Sequence, residues 1–354
     1  MSLPLISLGI ARASRADRGA LAPVDARHGS PNGGDSTGPT RMARELSAAR
    51  RARSLANPNA WIRLSLGLAL GLLAGCTSVP RPPADWMAWK AKRLESVAGT
   101  NGWSTLVGLF WLKEGPNSAG SDPTNDAVLP AGRAAPYVGT FTRMGDRVRF
   151  DAASGIRAFV DGRRVESALL ENDRSNAPTR LSLPPLTLVV IERGERLGLR
   201  VRDPESPARV HFSGIRCYPY DPAWRIEGRF EPFPEPRTLR VPSLIGGTQD
   251  YASPGALVFE YGGHPYRLDV AVEPGETDYF ILFRDDTAGQ TTYPSGRFLY
   301  VAPPDSRGRV TLDFNRAYTP PCGFTAFATC PLPPRQNRLP FPIPAGELKP
   351  EGHP

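Results

Sequence analysis

Proline constrains this chain more than any other feature: there are 39 of them in 354 residues. Proline has no N–H to give and its ring clashes with the preceding helical turn, so it is excluded from helix interiors and from central strands. A chain so punctuated is confined to short segments joined by turns. Runs such as Tyr137–Phe141, Arg147–Phe150, Ile156–Val160, Leu186–Ile191 and Leu197–Val201 are separated by Gly, Pro, Asp and Asn, the pattern of antiparallel strands. A second set follows Pro204: Arg209–Phe212, Trp224–Phe230, Thr238–Val241, Ala256–Tyr261, Tyr266–Val272, Tyr279–Phe283, Arg297–Val301 and Arg309–Phe314. The expected fold is all-β, with two small antiparallel sandwich- or barrel-like domains at 85–203 and 204–354. From Thr319 to Pro344 the chain is Pro-rich and irregular, and must lie against the sheets to be ordered.

One helix is expected before the strands. Asp85 is placed to cap it, Trp86, Trp89, Leu94 and Val97 recur at helical spacing, and Gly99 stops it. Lys90, Lys92, Arg93 and Glu95 would form its polar side, with the tryptophans packed on the body.

The first 75 residues have a different character. Of the net charge of +8, six units sit before Cys76, where ten Arg face four acids, leaving +2 for the remainder. A nearly neutral body lacks the clustered Lys and Arg that phosphate binding needs, so nucleic acid is excluded as a partner. Arg50, Arg51, Arg53 and Arg63 form a basic region ahead of an apolar run, Leu64–Leu73. That run is too short for a permanent bilayer span, which takes about 20 residues. Residues 1–41 are rich in Gly, Ser, Pro and Arg without periodicity, and Met42 offers an alternative initiator.

The run ends in Leu73-Ala74-Gly75-Cys76, which resembles the lipobox of bacterial lipoproteins. That resemblance implies cleavage before Cys76, lipid on its sulfur and amino terminus, a tether over 76–84 and a membrane as partner. Thr77 resembles the pattern of outer-membrane sorting, in which Asp at that place signals retention at the inner membrane. The expected location is the cell envelope, facing the periplasm.

Further resemblances lie in the body. Gly102-Trp103, Gly108-Leu109-Phe110-Trp111-Leu112, Gly115-Pro116-Asn117 and Asn125-Asp126 are followed by Phe283-Arg284-Asp285-Asp286-Thr287 and Gly296-Arg297-Phe298. Then come Asp313-Phe314-Asn315-Arg316-Ala317-Tyr318, Pro320-Pro321-Cys322, Cys330-Pro331-Leu332-Pro333-Pro334, Asn337 and Ala345-Gly346-Glu347. From Trp86 to Glu347 this order resembles the domain-of-unknown-function 1684 family, whose designation implies no activity. Within the first half, Gly120-Ser121, Asn125–Leu129 and Val160–Val165 are similar in rhythm to forkhead-associated domains, small β-sandwiches that bind phosphothreonine. The phosphate-binding arginine of that family is replaced by Ser121 and its Ser-x-x-His is missing, so only the fold is implied.

The densest polar cluster is Asp313, Asn315, Arg316 and Tyr318. On a strand over Arg309–Asn315, Val310, Leu312 and Phe314 share one face and Thr311, Asp313 and Asn315 the other. One reading makes the polar face a binding site completed by Asn337 and Glu347, with Tyr293 and Arg297 as walls. The other has Asp313 and Asn315 bonding the turn backbone. Cys322 and Cys330 would close a nine-residue loop in an oxidising compartment, with buried free thiols as the alternative. They do not reproduce the paired spacing of zinc sites, so no metal is expected. No Gly-rich phosphate loop opens a helix and no cofactor is expected. No Gly-x-Ser-x-Gly elbow occurs, and His211 and His264 read as solvated. Two functions follow: a lipid-tethered module binding a small-molecule or protein ligand at the C-terminal motif, or a hydrolase-like enzyme with Asp313 and Glu347 as acid–base pair and Cys322 as a candidate nucleophile.

Overall fold

The first strands alternate over part of their length between buried and more accessible residues, as in Leu106–Leu109, Gly139–Thr142 and Arg147–Phe150, the pattern of a sheet with one covered face. A computed structural model describes residues 81–351. The leader, the apolar run, Cys76 and most of the tether lie outside the described residues. Eleven strands are described before residue 203: β1 (Leu106–Trp111), β2 (Gly115–Gly120), β3 (Ala127–Val128), β4 (Gly139–Met144), β5 (Arg147–Ala152), β6 (Ala158–Val160), β7 (Arg163–Val165), β8 (Ser167–Leu170), β9 (Leu181–Leu183), β10 (Leu186–Arg193) and β11 (Arg196–Arg202). They form a six-stranded sheet, β1-β11-β10-β9-β6-β7, and a five-stranded one, β3-β2-β4-β5-β8. Phe141, Val148 and Phe150 of one meet Leu181, Leu188, Val190, Leu199 and Val201 of the other in a single core. All pairings but β2 with β3 are antiparallel.

Six further strands follow: β12 (Arg225–Pro242), β13 (Thr248–Tyr261), β14 (His264–Asp269), β15 (Tyr279–Phe283), β16 (Arg297–Val301) and β17 (Arg309–Asp313). They pair as β14-β13-β12-β17 and β15-β16. The β15–β16 pair is covered on both faces. Ile281, Phe283, Leu299 and Val301 enter one core with Leu257, Phe259, Leu312 and Phe314. Phe280, Leu282 and Phe298 enter another with Tyr251, Tyr293, Cys322 and Cys330. The architecture is therefore β throughout after one ordinary helix, α1 (Ala84–Ala98), and no described helix is long and apolar enough to cross a membrane.

Three local expectations are corrected. The N-cap position of α1 is Pro83, with no side-chain cap; Asp85 lies inside the first turn and pairs with Arg316. Its buried stripe is Trp86, Arg93 and Val97, while Leu94 is exposed. Residues 86, 93 and 97 lie within a narrow arc at 100° per residue, whereas 94 falls to its flank. Arg93 comes inward because a carboxylate awaits it there. Residues 209–212 are not a strand: the Ser206 hydroxyl caps a four-residue helix, α2 (Pro207–Val210), with proline at its first position.

The C-terminal segment 337–347 has no ladder of its own, and buried main-chain groups left unpaired cost free energy. Main-chain groups of Arg284, Asp286, Ala317 and Tyr218 supply some of the partners, and side chains supply others. Arg297, fully buried, donates to the carbonyls of Ile343 (3.0 Å) and Ala345, and to Asp285 (3.0 Å). Asp285 in turn accepts from the Ile343 N–H at 2.8 Å. Gly346 has φ +79°, and a Cβ there would stand 2.3 Å from the Ala317 carbonyl oxygen, so the strap closes only with glycine. Removing one member of a buried ion pair strands the other charge. Asp285→Ala is therefore expected to destabilise the fold by about 3–5 kcal/mol, read as a lower urea midpoint. Replacing the pair together by Asp285→Leu and Arg297→Met should recover part of that loss.

Candidate functional site

The polar motif residues separate into networks that the chain uses on itself. Strand β17 ends at Asp313, whose Oδ1 accepts from the Asn315 N–H (3.2 Å) and Asn315 Nδ2 (3.0 Å). Asn315 does not share the Asp313 strand face, because the chain has already turned. It is buried and bonded in both directions to the Asp221 main chain, at 3.0 and 2.9 Å. Its own carbonyl accepts from Trp86 Nε1 at 3.0 Å, and Arg316 joins Asp313 (3.3 Å) and Asp85.

Glu347 lies elsewhere. Fully buried, it accepts from Arg93 Nε at 2.8 Å and from the Thr319 N–H at 2.9 Å. The Arg93 guanidinium also stacks 4.7 Å from the Tyr318 ring and 5.3 Å from Phe324. Asn337 sits in a third network, accepting from the Asp269 N–H (2.8 Å) and donating to the Asp269 and Leu282 carbonyls (2.8 and 3.0 Å). Arg297 serves the strap, and Tyr293 donates to the Cys322 carbonyl at 3.2 Å. Asp313, Asn315 and Arg316 are thus brought together, as are Tyr318 and Glu347 through Arg93. Asn337, Arg297 and Tyr293 join neither group. Asp313 and Glu347, the acid–base candidates, belong to different hydrogen-bond networks.

What the motif does build is a wall. Between Thr319, held by Glu347, and Cys330, whose carbonyl accepts from the Leu244 N–H at 3.1 Å, the chain bulges out as Gly323–Phe327. This bulge, the segment from α2 to Arg216, and Leu348–Glu351 enclose a groove of about 480 Å³. Phe212, Ile215, Phe324 and Phe327 supply apolar walls, with Phe212 and Phe324 in edge contact at 6.0 Å. His211, Arg216 and Lys349 stand at its exposed rim. Residue spacing had no signal for this groove: its walls come from segments more than a hundred residues apart, one of them read as a strand.

Two other polar features accompany it. Cys322 and Cys330 are free thiols in contact, the Cys322 N–H lying 3.2 Å from Cys330 Sγ. Glu273, 3% exposed, accepts a hydrogen bond from the Tyr300 hydroxyl. Among the described residues no group of three or more His, Cys, Asp or Glu is placed to hold a metal ion.

Residues 210–348 match the model of the family described as Protein of unknown function (DUF1684). The chain carries a DUF1684 domain. The matched span starts at Val210, the last residue of α2, rather than at Trp86, so it takes in β12–β17, the bulge and the strap through Leu348, and the sandwich of β1–β11 lies outside it. The groove walls at His211–Arg216 and Gly323–Phe327 fall within that span, while Leu106, Pro207, Ala208 and Lys349–Glu351 lie outside it. Among solved structures the chain is similar to an uncharacterized protein of Haloarcula marismortui determined by solution NMR. That similarity is 31% identity over 41% of this chain and 81% of that chain, with a TM-score of 0.35. No curated protein matches the chain.

Glu273 sets a pH dependence. Burial raises its carboxyl above the ordinary value, the Tyr300 hydrogen bond opposes this, and Glu276 adds to the rise. A carboxyl whose folded value is raised contributes stability that is intact below the unfolded value and lost as pH climbs through the folded one. Glu273→Gln, which stays neutral, should therefore stabilise the protein at about pH 8 and change little at about pH 4. Urea denaturation at both values checks the sign.

Proposed function

We propose that this protein is a lipoprotein of the bacterial cell envelope, tethered to the outer membrane through lipid on Cys76, whose DUF1684 domain binds a small amphipathic anion. The groove carries this reading. At about 480 Å³ it falls within the usual size of small-ligand sites, roughly 300–1,000 Å³. Its aromatic walls suit an apolar body; at the rim Arg216 is paired with Glu351 at 2.8 Å, which leaves Lys349, bonded to the Gly289 carbonyl, as the cation that suits a negative head group. The polar motif then acts from behind: Arg93, Glu347 and Thr319 hold the base of the bulge, and Arg297 with Asp285 holds the strap that ends in Lys349.

The leader supplies the location. Its basic region, short apolar run and Leu-Ala-Gly-Cys ending suit lipidation, and two or more acyl chains give stable anchoring. With α1 beginning at Ala84, the tether over 76–84 would hold the β body beside the membrane. In cells fed labelled palmitate, Cys76→Ser is expected to abolish label incorporation and release the protein from the membrane fraction. Retention of label would refute the anchor.

The groove is tested with 1-anilinonaphthalene-8-sulfonate, an apolar ring system with a sulfonate. Its fluorescence should rise saturably on binding the folded protein. Phe327→Asp should weaken that binding by about tenfold or more, in line with burying a charge among apolar walls, and Lys349→Glu by a smaller factor. Equal binding by both variants, at unchanged melting temperature, would place the probe elsewhere and remove the support for this reading.

A further inference from the structure

We propose that Cys322 and Cys330 are joined by a disulfide in the exported protein, and that this bond clasps the bulge forming one wall of the groove. The clasp rests on the groove reading above; the bond does not.

Three observations lead to it. Both residues are buried and in contact, with the Cys322 main-chain N–H at 3.2 Å from Cys330 Sγ and the thiols hydrogen-bonded to each other. Both ends of the loop are already fixed by other bonds. Cys322 lies in the turn Pro321–Gly323 below the Tyr293 hydroxyl, and Pro331, next to Cys330, bridges to Ser243. A bridge here joins groups that folding has brought together, and it restricts the unfolded chain besides. Cys217 takes no part: it bridges by its main chain to Glu347 at the far end of the strap and burial pushes its thiol up to about 11. The residues between Cys322 and Cys330 include Gly323–Phe327, the groove wall.

The reaction is an exchange with an external disulfide, carried by an envelope oxidoreductase or a small molecule. Cys322 is the attacking group, since its hydrogen bond from Cys330 lowers its thiol while burial raises that of Cys330 well above the ordinary value. The Cys322 thiolate bonds to one sulfur of the external disulfide, breaking it and releasing one thiol. The Cys330 sulfur then displaces the second thiol. The two protein thiols are oxidised, the external disulfide is reduced to two thiols, and the two protons end on those thiols.

The test uses the full chain expressed with its own leader and extracted from the envelope in detergent. It is denatured without reductant, alkylated with N-ethylmaleimide and digested. The expected result is alkylation of Cys217 alone before reduction, a linked peptide pair containing Cys322 and Cys330, and alkylation of all three after reduction. Free Cys322 and Cys330, or a link from either to Cys217, would overturn the bond.

The clasp has its own readout. Reduction should weaken 1-anilinonaphthalene-8-sulfonate binding roughly fivefold, through lost preorganisation of the wall, and Cys322→Ala with Cys330→Ala should bind like the reduced protein in either buffer. Unchanged affinity on reduction overturns the clasp alone. If the oxidised protein binds no probe, the groove reading fails and the clasp with it, while the alkylation pattern still decides the bond.

Discussion

The pair formed by Asp285 and Arg297 is the constraint on which the second half depends. Both are buried, so each charge is tolerable only because the other neutralises it and because main-chain groups of the strap and the Thr287 hydroxyl bond most of their remaining polar atoms, Arg297 Nε having no partner. Those main-chain groups belong to the strap, which covers one face of the β15–β16 core with scattered main-chain bonds rather than a continuous ladder. The ion pair adds to those bonds where a ladder is missing. It lets Leu339, Phe341, Ile343 and Ala345 close over Phe283, Leu299 and Phe314.

A second buried pair, Arg93 with Glu347, carries the closure to the other end of the chain. Helix α1 has no cap of its own and a modest apolar stripe, so its position comes from what it touches: Trp86 on Asn315, Asp85 on Arg316, and Arg93 on Glu347 and Thr319. Because Thr319 and Glu347 flank the bulge and the strap, the same contacts shape the groove. The polar residues crowded into the DUF1684 motif hold loops in place, and the loops offer the binding surface. That division explains why so many charged and amide side chains are wholly buried while the rim of the groove is made of ordinary exposed residues.

Much of the fold was legible in local pattern. Short, nearly continuous apolar runs at Leu186–Ile191, Tyr279–Phe283 and Arg297–Val301 mark strands, and in β15 and β16 the continuity reflects burial on both faces. The Pro-rich run after Thr319 is irregular and packed on the sheets, since it carries apolar residues but cannot join a ladder. Reading failed where a residue's role depends on a distant partner. Arg93 reads as solvated until Glu347 is seen beneath it. Residues 209–212 read as a strand, yet Ser206 and Pro207 start a helix there, a local signal that was available and outweighed by the apolar alternation.

The sequence by itself determined the β class, the one ordinary helix and the turns, because these follow from backbone sterics and short-range periodicity; it did not foresee the prolines inside strands, where Pro232, Pro234 and Pro236 sit at a register shift in β12 and Pro254 lies in β13. It also set the motif residues apart as chemically unusual. Only the tertiary structure decided what those residues do, because burial and pairing join positions such as 93 with 347, or 285 with 297 and 343, through contacts that no local spacing encodes. The groove belongs to that second class. Its walls come from three segments with no common pattern, and two buried ion pairs together with main-chain bonds of the strap hold those segments against the sheets.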